Sequence, residues 1–582
     1  MPAKPSGEIK TSVIRSTQKN GDIYVLERKT QYDPVKKYNR VLSTKLISKI
    51  PKGSQIEVPT RPKRGKNSDS GEKAEIVSAQ RMHIGMMDIL DHIGKSSGID
   101  DAIYGATDRG TAQKIISLAR YLVAANGQTL PGIQTWQYNH PLPYEDGITE
   151  DIYHNLFVQV GADESLQQSF FKRRAEHMSS SDALAYDSTT VSTYSQNQNE
   201  ARYGFNKAGD GLKTIKFLTL YSIESRQPIA FTKQPGNLPD VTSIANAIKQ
   251  LSALGVNATE IITDNGYYSE SNFSELIIAG FDFITLSKTS VRWIKPEVDK
   301  AMERLDDFRT VCPFDASIHG VSVMLMHDFE KTRKYANHKS GAAKGSTETI
   351  TRRIYLNIYY SHVRQSEDKA AFETELFELK QQLERGIAMD ELSESAQKKA
   401  RKYFTLKKWG NKLTAVPNDK AIADANRYHG YFVLVSNREK DPFKALSKYR
   451  GRETIESFFE AQKQHADGTR VRVWNADTLR GRMFVQFVTL CYYEYLSEQV
   501  RQLKETLAVE TGNPEHDTKA VMSAENKLKS WLINTPIYLQ LQWFDTIENM
   551  KVSSKLKNKR WTTEITSRDA LYLEKLGVNL TI

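Results

Sequence analysis

Apolar and polar positions alternate singly near the start of the chain, in Thr11-Ser12-Val13-Ile14-Arg15 and again in Ile23-Tyr24-Val25-Leu26. With Asn20-Gly21 between the two runs, this period-two pattern predicts a hairpin and a small β module over residues 1–60. The polar, basic stretch from Arg61 to Gly71 has no periodicity and reads as a linker. Beyond it the period becomes helical, as in Ile84 to Ile93 and Ala112 to Leu122, so residues 73–177 are expected to form a helical domain.

The pattern changes again at Ala183-Leu184-Ala185-Tyr186-Asp187, a short apolar strand running into an acid. Thr214 to Tyr221 and Gln227 to Thr232 read as two further strands, and three strands in succession imply an antiparallel start. Asp240 opens a helix through about Leu254, and Thr259 to Thr263 forms a strand that delivers Asp264 just before the turn pair Asn265-Gly266. A helix from Ser269 to Ala279 and a strand from Phe281 to Leu286 complete the order β-β-β-α-β-α-β. That order predicts an α/β domain over residues 182–287, a mixed sheet with flanking helices.

Residues 288–428 interrupt this pattern as an insertion with strands of its own, Val321 to Met326 and Ile354 to Tyr360. It is basic in Arg352-Arg353, Lys398-Lys399 and Lys407-Lys408-Trp409. The strand Tyr431 to Ser436 returns the chain to the sheet, Asp441-Pro442 starts a helical arm, and a long helix from Ala476 to Glu505 closes the second part, residues 429–505. Residues 506–582 are expected to be a helical, basic C-terminal region.

Composition narrows the function classes. A chain of 582 residues has room for about four domains. A net charge of +11 favours an anionic partner, nucleic acid before membrane. Two cysteines, Cys312 and Cys491, supply neither a disulfide framework nor a thiolate zinc site. No apolar run approaches the roughly 20 residues needed to span a bilayer, and MPAKPSGEIKTS lacks a signal-peptide core. The expectation is a soluble, cytoplasmic protein with no membrane partner.

The helical arm carries the densest chemistry. From Lys448 to Lys463 its polar residues read Y-x2-R-x3-E-x6-K, through Tyr449, Arg452, Glu456 and Lys463. At about 100° per residue, Arg452, Glu456 and Lys463 fall in a stripe roughly 40° wide. Gly451 is a point at which the arm could break, which leaves the facing of Tyr449 less defined. Alone this is a helix with spaced ion pairs, just as Asp187 and Asp264 alone read as turn residues. Together, two aspartates leaving neighbouring strands and a glutamate from a later helix form an oxygen-rich cluster that repels itself unless cations neutralise it. The expected occupant is Mg²⁺ or Mn²⁺.

These residues resemble those of the DDE transposases of bacterial insertion sequences, specifically the IS-four superfamily with its YREK signature. Tyr449, Arg452, Glu456 and Lys463 reproduce the signature with its spacing. The aspartates match in Tyr186-Asp187-Ser188-Thr189-Thr190 and Thr263-Asp264-Asn265-Gly266-Tyr267. Gln234-Pro235-Gly236-Asn237-Leu238-Pro239-Asp240, Leu118-Ala119-Arg120-Tyr121-Leu122 and Arg470-Val471-Arg472 extend the likeness over roughly Ser12 to Leu496.

The resemblance implies an RNase H-like catalytic core interrupted by a mostly β insertion, with N-terminal β and helical DNA-binding modules. Asp187, Asp264 and Glu456 would hold two divalent metals per active site, and Tyr449, Arg452 and Lys463 would bind the transposon end. Trp293 and Trp409 are the candidates for stacking on a flipped base, although neither sits in an anchoring motif. The implied partners are double-stranded DNA, as terminal inverted repeats and as target, and a second copy of the chain in a synaptic dimer; the implied location is the nucleoid. A nuclease or resolvase of the same fold, or a non-catalytic DNA-binding derivative, are the rival readings.

Overall fold

The computed structural model describes residues 8–59, 78–126, 129–179, 182–195, 197–256, 259–332, 345–409, 412–464, 470–471, 473–510, 519–553 and 558–581. The chain divides into two units, Met1–Ile76 and Val77–Ile582. The linker expected from Arg61 to Gly71 lies outside the described residues.

The first unit is an antiparallel sheet of β1 (Ile9–Thr17), β2 (Ile23–Asp33), β3 (Tyr38–Ile50) and β4 (Val58–Pro59), paired in that order. Its first turn follows from Asn20-Gly21: Gly21 adopts a φ of +87° and the Asn20 side chain accepts from the Asp22 N–H at 3.1 Å. Val25 is buried, while Ile9 and Val13 are exposed.

The second unit begins with β5 (Ser78–His83) and a set of helices. The longest of these, Arg109–Ala125, starts where Asp108 accepts from the Thr111 N–H at 3.0 Å, and it buries Ile115, Ile116, Leu118 and Ala119 completely. Helices Glu150–Ala162 and Glu164–Glu176 then lead to the central sheet.

That sheet is built from β6 (Ala183–Thr193), β7 (Lys213–Ser222), β8 (Gln227–Pro235), β9 (Glu260–Thr263) and β10 (Asp282–Ser287), followed by β11 (Val311–Cys312), β12 (Asp315–Thr332) and β13 (Thr347–Ser361). A separate hairpin, β14 (Phe404–Trp409) and β15 (Lys412–Pro417), stands apart before β16 (Tyr431–Ser436) and β17 (Arg470–Val471) rejoin the sheet. The order is β11-β12-β13-β16-β10-β9-β6-β7-β8, with β17 beside β6. The pairs β6·β9, β9·β10 and β6·β17 are parallel and the rest antiparallel. The fold is therefore mixed α/β around one large mixed sheet, and its first five strands lie in the order 3-2-1-4-5.

Two elements differ from the sequence reading. The strands assigned to an insertion with strands of its own, β12 and β13, are hydrogen-bonded through β16 into the central sheet. The reason lies in β13, whose Ile354, Leu356 and Ile358 are fully buried and whose backbone needs partners on both edges. The C-terminal region, read as helical, contains β18 (Glu548–Ser553) and β19 (Asn558–Thr562), and β18 pairs with β5 from Glu548↔His83 to Ser553↔Ser78. Helices Lys519–Asn534 and Ile537–Phe544 precede these strands in the chain and Ser567–Leu576 follows them. Among the described residues, no helix is long and apolar enough to cross a membrane.

One helix, Ala476–Glu510, runs behind the central sheet and buries Met483, Phe484, Phe487, Val488 and Cys491. It crosses Glu150–Ala162 so closely that a Cβ on Gly481 would overlap the Phe157 backbone. Farther along, its Tyr492 meets the buried Arg120. The Arg120 guanidinium donates to Asp91 at 3.0 Å and to Asp100 at 2.6 Å, and Tyr492 donates to Asp100. The Arg120 side chain is 4% exposed and that of Asp100 9%, so the Arg120–Asp100–Tyr492 centre of this network is desolvated, and with Asp91 it joins four helices.

Removing one member of such a cluster leaves the others buried and unpaired. Arg120→Met is therefore expected to destabilise the protein by about 3–5 kcal/mol in chemical denaturation. A loss below about 1 kcal/mol would contradict the clasp.

Candidate active site

Asp187 is the one position of β6 that is not fully buried, at 14% side-chain exposure. β6 and β9 pair in parallel with Ala185 beside Ile262, so carrying the register forward two places sets Asp264 alongside Asp187. Asp187 accepts from the Ser188 N–H at 2.8 Å and Asp264 from the Asn265 N–H at 2.7 Å. These local bonds fix both carboxylates, Asp264 just past the end of β9 and Asp187 within β6, which continues to Thr193 instead of ending at the acid as the sequence implied.

The third acid arrives on a broken arm. Asp441 caps helix Pro442–Gly451 by accepting from the Phe443 N–H at 2.9 Å, as the Asp-Pro pair implies. A second helix, Glu453–Gln464, follows after Arg452 and buries Ile455, Phe458 and Phe459 against the core. Gly451 ends the first helix, where a Cβ would crowd Ile223. Glu456, on the opposite face, is 60% exposed.

At this joint Arg452 turns inward. Its guanidinium donates to Asp187 at 2.9 Å and to Glu456 at 3.0 Å, with its side chain only 7% exposed. Tyr449 also faces the acids, donating to Asp264 at 3.1 Å, with Arg452 over its ring at 5.4 Å. The arm thus places two residues of the polar pattern among the carboxylates themselves.

Asp187, Asp264, Glu456 and Lys463 line one cleft of about 500 Å³, together with Asp240, Glu460 and Lys207. Burial pushes the Asp187 carboxyl above its ordinary range, against the pull of Arg452 in the other direction. Burial likewise pushes the Tyr449 phenol upward, so it stays a donor. Lys463 is held below the usual lysine range by burial and then by Lys207.

The structure brings together Asp187, Asp264, Glu456, Arg452, Tyr449 and Lys463. Trp293 is elsewhere: its indole donates to the Tyr268 hydroxyl at 3.1 Å and stacks on His327 at 4.0 Å. The side chain of Trp409 lies outside the described residues, as does Arg472.

Two lining residues were missed. Lys207 bonds the Ser188 carbonyl at 3.0 Å from the long excursion between β6 and β7, whose length was the available signal. Asp240, read only as a helix opener, accepts from Ser188 at 2.9 Å and pairs with the buried Lys216 at 2.7 Å.

A sheet that aligns two aspartates and a helix that adds a glutamate define an acid-lined α/β site. The sequence model of the family described as "Transposase DDE domain" matches residues 178–492, more than half of the chain and a span that contains the three acids. The chain belongs to that family and is a DDE transposase enzyme. A solved structure, the cryo-EM piggyBac transposase synaptic complex with hairpin DNA, is 9% identical over 79% of this chain and 81% of that one, with a TM-score of 0.33. So loose a superposition carries no argument. No curated protein sequence matches.

Behind the Glu456 helix, Tyr221 packs on Phe458 at 5.8 Å and donates to Glu494 at 2.7 Å. Burial pushes the Glu494 carboxyl up to about 7. Its folded value thus exceeds its unfolded one, so between these values the folded state keeps a proton that the unfolded chain releases, and stability falls as pH rises through that window. The unfolding free energy of Glu494→Gln, from chemical denaturation, should decline less from pH 5 to 7.5 than that of the unaltered protein, a difference of about 2 kcal/mol. Parallel curves for the two proteins would refute the assignment.

Proposed function

We propose that this protein is the transposase of a bacterial insertion sequence of the IS-four type, cutting the element's DNA ends and joining them to a target. The observation that carries the reading is the convergence of Asp187, Asp264 and Glu456 on one cleft, with Arg452 between two of them and Lys463 on its wall. The spacing of Tyr449, Arg452, Glu456 and Lys463 supports membership of the YREK group.

DDE transposases use divalent metals. The donors here are all carboxylate oxygens, which suits hard cations, and Asp187 is disfavoured as a buried anion without one. On this reading Asp187, Asp264 and Glu456 hold two Mg²⁺ or Mn²⁺ ions. Such a pair, when bound, supplies a deprotonated water and a stabilised leaving oxygen at an in-line phosphate.

The remaining groups position DNA. Arg452 and Lys463 orient phosphates of the transposon end, since a guanidinium does not deprotonate and its fork matches a phosphate. Tyr449 holds Asp264 in place through its hydroxyl. After cleavage the freed 3′-hydroxyl replaces water as nucleophile, so one site serves cutting and joining. Residues 73–177 serve as a DNA-binding domain, and two copies of the chain pair the two ends. Trp293 remains the candidate base-stacking residue with a described side chain.

Asp187→Asn, Asp264→Asn and Glu456→Gln should each lower strand cleavage at least about a thousandfold with Mg²⁺, while gel-shift binding to inverted repeats flanking the coding region survives. Arg452→Ala should weaken the complexes with those ends. Full cutting by any acid variant would sink the metal-ligand assignment. Cutting without joining by the unaltered protein would replace transposase with nuclease.

A further inference from the structure

A second cluster of metal-ligand residues lies outside the acid-lined cleft. His83 ends β5, His140 follows the short helix Ile133–Trp136, and Asp545 follows helix Ile537–Phe544. One ligand atom from each lies within 4.8 Å of the others. We propose that His83, His140 and Asp545 form a structural site for a divalent cation of the Zn²⁺ class, clasping the C-terminal segment to the start of the second unit.

The hydrogen bonds decide the state of the rings. His83 Nδ1 lies 2.7 Å from the Asp545 carbonyl and His140 Nδ1 lies 2.7 Å from the Trp136 carbonyl. A carbonyl only accepts, so both Nδ1 atoms carry hydrogen. In the neutral rings each Nε2 then bears a lone pair. His140 Nε2 nevertheless faces the Asp545 carboxylate at 2.9 Å, and His83 lies 3.7 Å from the same carboxylate through its Nδ1 edge and 3.8 Å from Glu548 through Nε2. A lone pair aimed at the Asp545 carboxylate repels it unless a cation sits with them, either a proton on the ring or a metal.

Three observations favour a metal. A ring whose Nδ1–H is tied to a backbone carbonyl is the usual outer support of a metal-bound histidine, and here both rings have it. The rings are also held rigid: His140 stacks on Trp136 at 3.8 Å and on His83 at 4.9 Å, and its side chain is 8% exposed. Finally, two imidazole nitrogens with a carboxylate make a donor set that suits Zn²⁺, unlike the all-oxygen set of the cleft.

The clasp has a structural consequence. His83 pairs with Glu548 across β5 and β18, so the site ties together the two strands that join chain segments more than 400 residues apart. Glu548 is itself paired with Arg81, which keeps that carboxylate neutralised beside the rings.

The test uses full-length protein stripped with a chelator and titrated with Zn²⁺ or Co²⁺ in excess Mg²⁺, which keeps the acid-lined cleft supplied with its own ion. One equivalent of zinc is expected to remain after gel filtration and to raise the melting temperature by at least about 3 °C. His140→Gln and His83→Asn should lose both effects, and Asp187→Asn should keep them. Should the histidine variants misfold, a Co²⁺ absorption band in the unaltered protein, displaced by Zn²⁺ and not by Mg²⁺, decides instead. Zinc content unchanged in His140→Gln, or no retained metal in the unaltered protein, would overturn the site and leave a ring proton as what holds the cluster.

Discussion

Asp187, Asp240, Asp264, Glu456 and Glu460 share one cleft, and so many negative charges at such range are tenable only beside cations. Two like charges about 4 Å apart cost roughly 4 kcal/mol at an effective dielectric of 20. The structure meets that cost with specific partners. Lys216 neutralises Asp240, and the Arg452 fork bridges Asp187 and Glu456, offsetting one of their two charges. Asp264 is bonded by neutral donors, the Asn265 N–H and the Tyr449 hydroxyl. The distribution sets Asp240 apart as a ligand candidate: Lys216 matches its charge one for one, whereas Arg452 is divided between Asp187 and Glu456 and leaves net negative charge on that pair.

The rest of the second unit keeps those partners in register. Asp187 and Asp264 are adjacent because β6 and β9 run parallel, and β9 is held from its other side by β10. Strands in such a sheet need covered faces and paired edges. The helix Ala476–Glu510 covers one face, and β12, β13 and β16 extend the edge beyond β10. The Arg120 cluster then fixes that long helix against the helices before the sheet. A chain of packing therefore runs from Arg120 to the helix that carries Glu456, through Phe487 and Phe458.

Much of the site was legible because its signals are local. Each aspartate ends an apolar run that can only be a strand, and the arm's polar spacing is set by the helix itself. What escaped the sequence depends on contacts between distant segments. Nothing in Val321 to Met326 distinguishes a strand of a separate subdomain from one that joins the central sheet, because β pairing partners are not encoded in a strand's own period. The C-terminal strands escaped for the same reason, since β18 acquires its partner from β5. Lys207 and His140 carry chemistry on irregular segments where periodicity is silent.

The inward turn of Arg452 bears on how the signature residues work. A planar guanidinium that spans two carboxylates offers the same fork that binds phosphate, and one fork cannot fully serve both. On the proposed reading, a DNA phosphate reaching Arg452 competes with Asp187 and Glu456 for its donors. The carboxylates released in that exchange would repel one another in a partly buried cleft, which raises their demand for divalent cations at the moment the substrate arrives. Arg452 would then link end binding to assembly of the metal site through charge alone, with no movement of the sheet. Lys463 has a different part, because it is not hydrogen-bonded to the three acids and its charged form is disfavoured by burial and by Lys207. An anion entering the cleft relieves that strain, so Lys463 favours phosphate entry while Arg452 couples it to the carboxylates.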